Sequence, residues 1–228
     1  EKPLAVNNEQ LSIINEKMLE LKDPPILMVG FNRRFAPHIV KMKSLLKSRR
    51  EPKFIAITVN AGDIPAEHWT QDTEIGGGRI IGEGCHFIDL MRFLVGHSIT
   101  GHQAMMMGSA PGVELRDDKV SINLSFTDGS FGTINYLANG GKVFPKERIE
   151  VFCGGAVLQM DNYRMLRGYG WRGFNKMKLF KQDKGQKACA KAFLAAITKG
   201  NPSPIPYDEV MESSKISILV AESLRKNS

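Results

Sequence analysis

The sequence predicts an α+β fold: a mixed or antiparallel sheet covered by helices on one face, preceded by the remnant of an α/β domain. Three observations carry this prediction. The middle of the chain alternates apolar and polar residues between turn signals, as strands of an open sheet do. Helical patterns bracket that region. The first 31 residues instead form a helical pattern followed by a continuously apolar run, which is typical of an α/β unit.

The composition is that of an ordinary globular protein. With 228 residues, 42% of them hydrophobic and 24% charged, the chain is large enough for one domain plus a fragment of another. The three cysteines lack CxxC spacing, which argues against a disulfide framework or a zinc site and favours a reducing compartment. No segment approaches the roughly 20 apolar residues of a membrane span, and no secretory signal is visible. We therefore predict a cytoplasmic protein with no membrane partner and no metal.

The net charge of +7 raises the question of an acidic partner. Basic residues concentrate in 41–50 and 176–187. A solvated face explains such runs most simply, and a phosphate-bearing substrate is the next interpretation. Nucleic acid ranks third and is not expected, because no binding motif and no regular interleaving of aromatic and basic residues is present.

The N-terminal unit contains one helix and one strand. Apolar residues recur at helical spacing over 8–21, with Asn7 or Asn8 as the N-cap. Two prolines at 24–25 end this helix. The apolar run 26–31 predicts a strand that is covered on both faces in a parallel sheet.

Two further helices and a strand follow. A helix is predicted over 37–46, with Pro37 in its first turn. A strand is predicted over 54–59. After three glycines at 76–78, an apolar stripe predicts a third helix that Gly96 ends.

The region 99–166 is predicted as a β meander. Its clearest hairpin is 121–136, with a two-residue turn at Asp128-Gly129. Another hairpin joins 148–152 to 157–160 through Gly154-Gly155. Two helices, 185–198 and 207–224, close the chain.

The segment 168–173 satisfies the GxGxxG spacing of a dinucleotide-binding turn. That fingerprint needs a buried strand before it and an amphipathic helix after it, so that a pyrophosphate meets free N–H groups. Here alternating, strand-like sequence lies on both sides. We predict an ordinary glycine-rich turn or flexible loop and no dinucleotide turn in this chain.

The segment 76–89, GGGRIIGEGCHFID, is a stronger signal. A glycine-rich loop delivers Glu83, His86 and Asp89 to the start of a helix, and the last two share one helical face. In the simplest interpretation His86 caps or packs the helix and Asp89 is solvent-exposed. Alternatively, a neutral imidazole beside Glu83 exchanges a proton near pH 7, which suits oxidation of an alcohol.

Glu1, Lys2 and Pro3 form the third signal. By itself Lys-Pro before a helix indicates only an extended residue at a helix start. A buried lysine in a cleft could instead hydrogen-bond a substrate hydroxyl.

Together these motifs resemble the Gfo/Idh/MocA oxidoreductase family over the whole chain. Glu1-Lys2-Pro3 looks like the EKP motif that closes the family's Rossmann domain beside the nicotinamide and substrate. The segment 29–35 is similar to the connection into the substrate domain, and 76–89 to the catalytic segment, with His86 at the position of the proton-transferring histidine. The nearest subgroup carries GGGRIIGE and CHFIDL. It is often fused to an alcohol-dehydrogenase-like region and is associated with bacterial surface-sugar pathways.

The resemblance implies two domains, a Rossmann remnant over 1–31 and a substrate-binding and oligomerisation domain over 32–228. The broader family usually has Asp at the position of Gly82, so Glu83 either takes over the carboxylate role or that role is lost. Catalytic roles then fall to Lys2, His86 and Glu83. Cofactor contacts fall to Glu1, Lys2 and Pro3.

Loop residues near the catalytic segment are candidates for substrate binding, although each could be an ordinary loop position: Asn60, Asp63, His68, Trp69, Arg79 and Asp89. The resemblance implies hydride transfer between NAD or NADP and a hydroxyl or keto carbon of a sugar, cyclitol or nucleotide-linked sugar, which could be phosphorylated. Most cofactor contacts would lie upstream of Glu1, and this part alone would be inactive. A homodimer or homotetramer through the sheet face is expected. The alternative is a catalytically inert interaction module.

Overall fold

Eight strands form one mixed sheet in the computed structural model, which describes residues 1–111 and 117–226. Their spatial order is β2-β3-β4-β1-β5-β6-β7-β8. The strands are β1 Phe54–Asn60, β2 Ile99–Met106, β3 Lys119–Phe126, β4 Phe131–Leu137, β5 Glu147–Cys153, β6 Ala156–Asp161, β7 Met165–Tyr169 and β8 Lys176–Lys178. Only the β1/β4 pair is parallel, and the other pairs are antiparallel.

Five α-helices accompany the sheet in the described part of the chain: α1 Asn8–Glu20, α2 Pro37–Leu46, α3 Cys85–Val95, α4 Gln186–Lys199 and α5 Tyr207–Lys226. The Asn7 side chain caps α1 by accepting a hydrogen bond from the N–H of Gln10 at 2.9 Å. Pro37 occupies the first turn of α2, where its missing N–H costs nothing. Gly96 ends α3 in the left-handed conformation. These helix boundaries agree with the sequence patterns to within one residue at most ends.

One face of the sheet is buried beneath helices. In β3, Val120, Ile122, Leu124 and Phe126 are buried, while Asn123 and Ser125 between them are exposed. Such alternation places every second side chain in the core. The α3 and α5 helices pack on this face, and none of the described helices packs on the opposite face. The predicted α+β class with a mixed sheet is confirmed.

The prediction of a parallel strand over 26–31 is wrong. This segment is extended but lies outside the sheet, and the Gly30 N–H donates to the Glu1 carbonyl at 3.1 Å. Its buried residues Val29 and Phe31 pack with Ile205 and Val210 in a small separate core. The apolar run therefore indicates that the segment is buried beneath helices. Hydrophobic periodicity alone does not distinguish such a segment from a buried strand.

The meander prediction also needs correction. Strand β1 inserts between β4 and β5, so the strands of 99–166 form two antiparallel groups flanking it; residues 112–116, inside the predicted meander, lie outside the described residues. The β3–β4 turn contains three residues. The Phe126 N–H donates to the Ser130 carbonyl, and Gly129 adopts φ +81°. This is a type I turn followed by a left-handed glycine.

Two glycine-turn predictions are confirmed. Gly154 and Gly155, with φ +53° and +72°, join β5 to β6 in a two-residue turn. The GxGxxG segment begins in β7 and leads into β8, which pairs antiparallel with β7. No helix follows that turn before β8, so it lacks the N-terminal N–H groups that a pyrophosphate needs.

Candidate active site

A cleft of about 370 Å³ lies where the N-terminal segment, the start of α3 and the face of α4 meet. Its walls consist of Glu1, Lys2, Met28, Gly30, Asn32, His86, Gln186, Cys189, Ala190 and Phe193. Lys2 and His86, the two residues singled out most strongly by the sequence motifs, therefore share one cavity. Gly185 permits the close approach of α4, because a Cβ there would lie 2.4 Å from the Asn32 carbonyl oxygen.

The helix that carries His86 begins with a π-helical turn over Ile80–Gly84. The N–H of Cys85 reaches back to the Ile80 carbonyl across this wider turn. The ammonium of Lys2 donates to the carbonyl oxygen of Gly82 within it. This contact fixes the N-terminal segment to the catalytic segment, although 80 residues separate the two partners.

The glycine loop before this turn is required sterically. A Cβ on Gly76 would lie 2.5 Å from the Trp69 carbonyl oxygen and 2.6 Å from the Thr70 Cα. Gly77 has a φ of +75°, a conformation that favours glycine. The loop can therefore pack closely on 69–70 and turn into the catalytic segment.

The imidazole of His86 is 7% exposed and makes an edge contact with Phe31, at a ring-centroid distance of 6.1 Å. Its Nδ1 atom is buried and has no hydrogen-bond partner among the described residues. Burial, and then the charges of Arg33, Lys2 and Lys184, lower the pKa of His86 well below its usual value. The imidazole is therefore neutral at pH 7 and can accept a proton.

Glu83 is directed towards the sheet. Its Oε2 atom accepts hydrogen bonds from the Tyr136 hydroxyl at 2.5 Å and from Arg79 at 3.0 Å. Burial opposes ionisation, but the bond from Tyr136 and the charges of Arg79 and Lys2 outweigh it and lower the pKa of Glu83. The carboxylate is thus ionised and restrained, one residue beyond the position where the broader family usually has Asp.

Asp89 and Arg79 occupy structural positions. Asp89 is fully buried, and Arg34 binds both of its carboxylate oxygens at 2.6–3.0 Å. Burial raises the pKa of Asp89 to about 6, although Arg34 favours the ionised form. Arg79 is 1% exposed and also donates to the Gly62 carbonyl. The interpretation of Asp89 as a solvent-exposed residue is therefore wrong, whereas substrate binding by Asp89 and Arg79 stays a prediction.

The other predicted substrate contacts lie at the last residue of β1 and on the loop that follows, and they do not line the His86 cleft. Asn60 donates to the carbonyls of Gly141 and Phe144 and so fastens the loop after β4. His68 and Trp69 are exposed, and Asp63 is exposed in the loop before them. Because Arg79 bonds to Gly62 and to Glu83, this loop is connected to the catalytic segment.

Sequence reasoning missed the contribution of α4. Gln186, Cys189 and Phe193 lie three and four residues apart, so one helical face lines the cleft. The sequence shows this spacing as an amphipathic pattern, but no neighbouring residue indicates which cavity that helical face lines. Tyr136 was also missed, because its bond to Glu83 spans 53 residues.

Within residues 1–111 and 117–226, no group of three His, Cys, Asp or Glu side chains is arranged to hold a metal ion. Among the helices of the same residues, none combines the length and apolarity required to cross a bilayer.

The sheet with one covered face and the cleft that joins an ammonium to a neutral imidazole define an α+β domain equipped for acid–base chemistry. The chain belongs to the Gfo/Idh/MocA family: the model of the GFO/IDH/MocA C-terminal domain matches residues 40–159, more than half of its length. The family resemblance of the sequence motifs is confirmed.

Curated relatives include dehydrogenases of cyclitols. The inositol 2-dehydrogenase of Rhizobium meliloti is 25% identical over 210 residues, covering 88% of this chain and 62% of that protein. The inositol 2-dehydrogenase 2 of Saccharopolyspora erythraea is 35% identical over 117 residues, covering 48% of this chain and 32% of that protein. The chain thus spans less than two thirds of the length of these relatives.

Solved structures share the fold. Levoglucosan dehydrogenase, in complex with NADH, superposes with a TM-score of 0.78 at 20% identity, covering all of this chain and 71% of that one. UDP-N-acetylglucosamine 3-dehydrogenase from Acidithiobacillus ferrooxidans gives a TM-score of 0.76 at 17% identity, covering 99% of this chain and 69% of that one.

Proposed function

We propose that the complete protein is an NAD- or NADP-dependent dehydrogenase that oxidises a hydroxyl carbon, or reduces a keto carbon, of a sugar, cyclitol or nucleotide-linked sugar. One observation carries the proposal: a neutral imidazole with an unpaired buried Nδ1 lies in the same cleft as the Lys2 ammonium. Family membership supports the reaction class, and the names of the relatives support polyols and sugars as substrates.

The side chains of the cleft divide the proton chemistry. In the oxidation direction His86, neutral at pH 7, takes the proton of the reacting hydroxyl and returns it during reduction. Lys2 orients the same oxygen and stabilises negative charge on it. Glu83, held ionised by Tyr136 and Arg79, balances the positive charge of Lys2.

The cofactor would supply the redox step by accepting or giving the hydride. Glu1 and Lys2 line the cleft, and Pro3 follows them, so these residues fit the role of contacts to the reactive end of the cofactor. The segment 168–173 does not fit the phosphate end, since β8 follows it. Most of the cofactor contacts are accordingly proposed to come from sequence upstream of Glu1, with this part of the protein inactive without them.

Three further proposals accompany this one. The loop residues Asn60, Asp63, His68 and Trp69 would meet the part of the substrate that extends beyond the cleft. Three free, buried cysteines support a reducing compartment and hence the cytoplasm. The subgroup often fused to an alcohol-dehydrogenase-like region is proposed on the GGGRIIGE and CHFIDL sequences.

Self-association is proposed through the uncovered sheet face, giving a homodimer or homotetramer. Phe54, Phe131 and Phe152 form an aromatic patch there, with the Phe54 ring 5.0 Å and 6.0 Å from the other two. Phe131 is 57% exposed and Phe152 44%. Phe131→Glu should lower the mass measured by light scattering, whereas Phe180→Glu, at an exposed site outside the patch, should not. If both variants have the same mass as the parent protein, the proposal of this interface is refuted.

The activity is tested by following formation of reduced nicotinamide by the complete protein with NAD or NADP and a panel of polyols, sugars and nucleotide-sugars. His86→Gln should lower kcat at least about 100-fold, the usual contribution of a general base. His97→Gln, at an exposed site, is the matched control. If no panel member is oxidised and His86→Gln changes no measured property, the interaction-module alternative replaces the enzyme.

A further inference from the structure

Behind the cleft, a buried carboxylate binds two cations. Glu147, at the start of β5, is fully buried. Arg33 donates to both of its oxygens, each at 3.0 Å, and Lys184 donates to Oε1 at 2.6 Å. Both cations are largely shielded, with 12% and 16% of their side chains exposed. The energetic cost of burying Glu147 is thus met by two charge-assisted partners.

The two cations come from the chain segments that flank the cleft. Arg33 follows Asn32, and Lys184 precedes Gln186 by two residues; Asn32 and Gln186 both line the cavity. The Asn32 side chain also donates to the Lys184 carbonyl at 2.6 Å. Glu147 therefore connects both flanks to the sheet.

A strained turn supports the same cluster. Asn162 and Tyr163 have φ values of +46° and +54°, conformations that are costly for a tyrosine. The turn is closed by a bond from the Arg164 N–H to the Asp161 carbonyl, and the Asn162 N–H donates to the Glu147 carbonyl at 2.7 Å. The fully buried Tyr163 ring lies 5.8 Å from the Lys184 ammonium. Observed strain of this kind marks positions that the surroundings hold in place.

We propose that Glu147 is a positioning residue of the candidate active site, which holds Arg33 and Lys184 beside His86. Its catalytic meaning rests on the proposed function: burial first, and then the two fixed cations, favour the neutral imidazole that a general base requires. Arg33 and Lys184 belong to two different segments and meet at the same carboxylate, so the loss of Glu147 releases both cations.

Other titratable groups also face His86 from the elements around it. Glu1 and Lys2 of the N-terminal segment and Cys189 of α4 line the same cleft, and Cys85 precedes His86 in α3, whereas Glu83 is directed away towards Tyr136. Lys2 adds a third cation, whereas the buried thiols stay protonated because burial raises their pKa. Variants at Glu147 and Lys184 leave all of these groups in place.

The test is an NMR titration of isotope-labelled histidine in the purified protein, with the His86 signal assigned by its absence from His86→Gln. Lys184→Met should raise the pKa of His86, and Lys184→Arg should keep it low. Glu147→Gln should also raise it, because released cations move away into solvent. If the two cations instead stay in place, loss of the Glu147 negative charge alone would lower the pKa of His86. Lys181→Met, an exposed lysine in the same basic stretch, is the control.

Unchanged titration of His86 in both Lys184→Met and Glu147→Gln, or a lower pKa in Glu147→Gln, would overturn the positioning role. If Glu147→Gln does not fold, the His86 titration in Lys184→Met decides the question, since Lys184 is partly exposed. In the complete protein, the acid limb of kcat/KM should move to higher pH in Lys184→Met. The titration needs no turnover, so absence of dehydrogenase activity would refute the proposed function and leave this inference standing.

Discussion

Replacement of Asp89 by asparagine tests whether this carboxylate is structural. Arg34, which is 4% exposed, makes three hydrogen bonds to Asp89 at 2.6, 2.8 and 3.0 Å. In Asp89→Asn the amide group can keep one acceptor, but its NH₂ then faces N–H donors of the guanidinium. The guanidinium retains Glu209 as its carboxylate partner.

The expected loss follows from this geometry. Removing one partner of a buried ion pair lowers the free energy of unfolding by about 3–5 kcal/mol. Because asparagine keeps one acceptor oxygen, we expect Asp89→Asn to lie at the lower end, at about 3 kcal/mol. For a chain of this size, that corresponds to a fall in Tm of roughly 6–12 °C. Glu209→Gln is the matched control, because Glu209 is 20% exposed and should cost only about 1 kcal/mol.

The assay is urea unfolding at a pH above about 6, where the Asp89 carboxyl is ionised. The free energy of unfolding is extrapolated from each midpoint and slope, with equal slopes required for comparison. A loss below about 1 kcal/mol for Asp89→Asn would refute the structural reading of the ion pair. The prediction of Asp89 as a substrate contact would then be favoured.

Two further predictions concern the catalytic segment. Folding lowers the pKa of His86, so below about pH 6.5 the unfolded chain binds a proton that the folded protein does not, and the free energy of unfolding should fall as the pH drops. His86→Gln should weaken this pH dependence in urea titrations at several pH values. Gly76→Ala should lower the free energy of unfolding by at least ~1 kcal/mol, since its Cβ would lie 2.5 Å from the Trp69 carbonyl, whereas Gly141→Ala, with open space around it, should be neutral in thermal melts.

The helices and hairpins were accessible from sequence because their signals are local. Asn7, Pro37 and Gly96 mark helix ends through their own backbone requirements, and the structure uses each in that way. The glycine pair 154–155 likewise specifies its two-residue turn. In contrast, the insertion of β1 between β4 and β5 depends on a parallel pairing whose partners are distant in sequence, and no local residue encodes it.

The site was predicted in part for the same reason. Motifs identified Lys2 and His86, and the cleft contains both. Asp89 has the same helical spacing in sequence whether it faces solvent, substrate or Arg34. Only the tertiary placement of Arg34, 55 residues away, distinguishes these environments. Charged residues are the hardest to assign because a partner anywhere in the chain can make their burial acceptable.

The buried charges around the catalytic segment share one arrangement. Glu147 binds Arg33 and Lys184, and Glu83 is held by Arg79 and Tyr136. Each carboxylate is thereby kept ionised and unavailable as a proton acceptor. The imidazole of His86 is neutral at pH 7 and its Nδ1 is unpaired among the described residues, so it is free to take a proton where Glu83, Glu147 and the protonated thiols are not. The surrounding ion pairs thus define the chemistry of His86 without contacting a substrate.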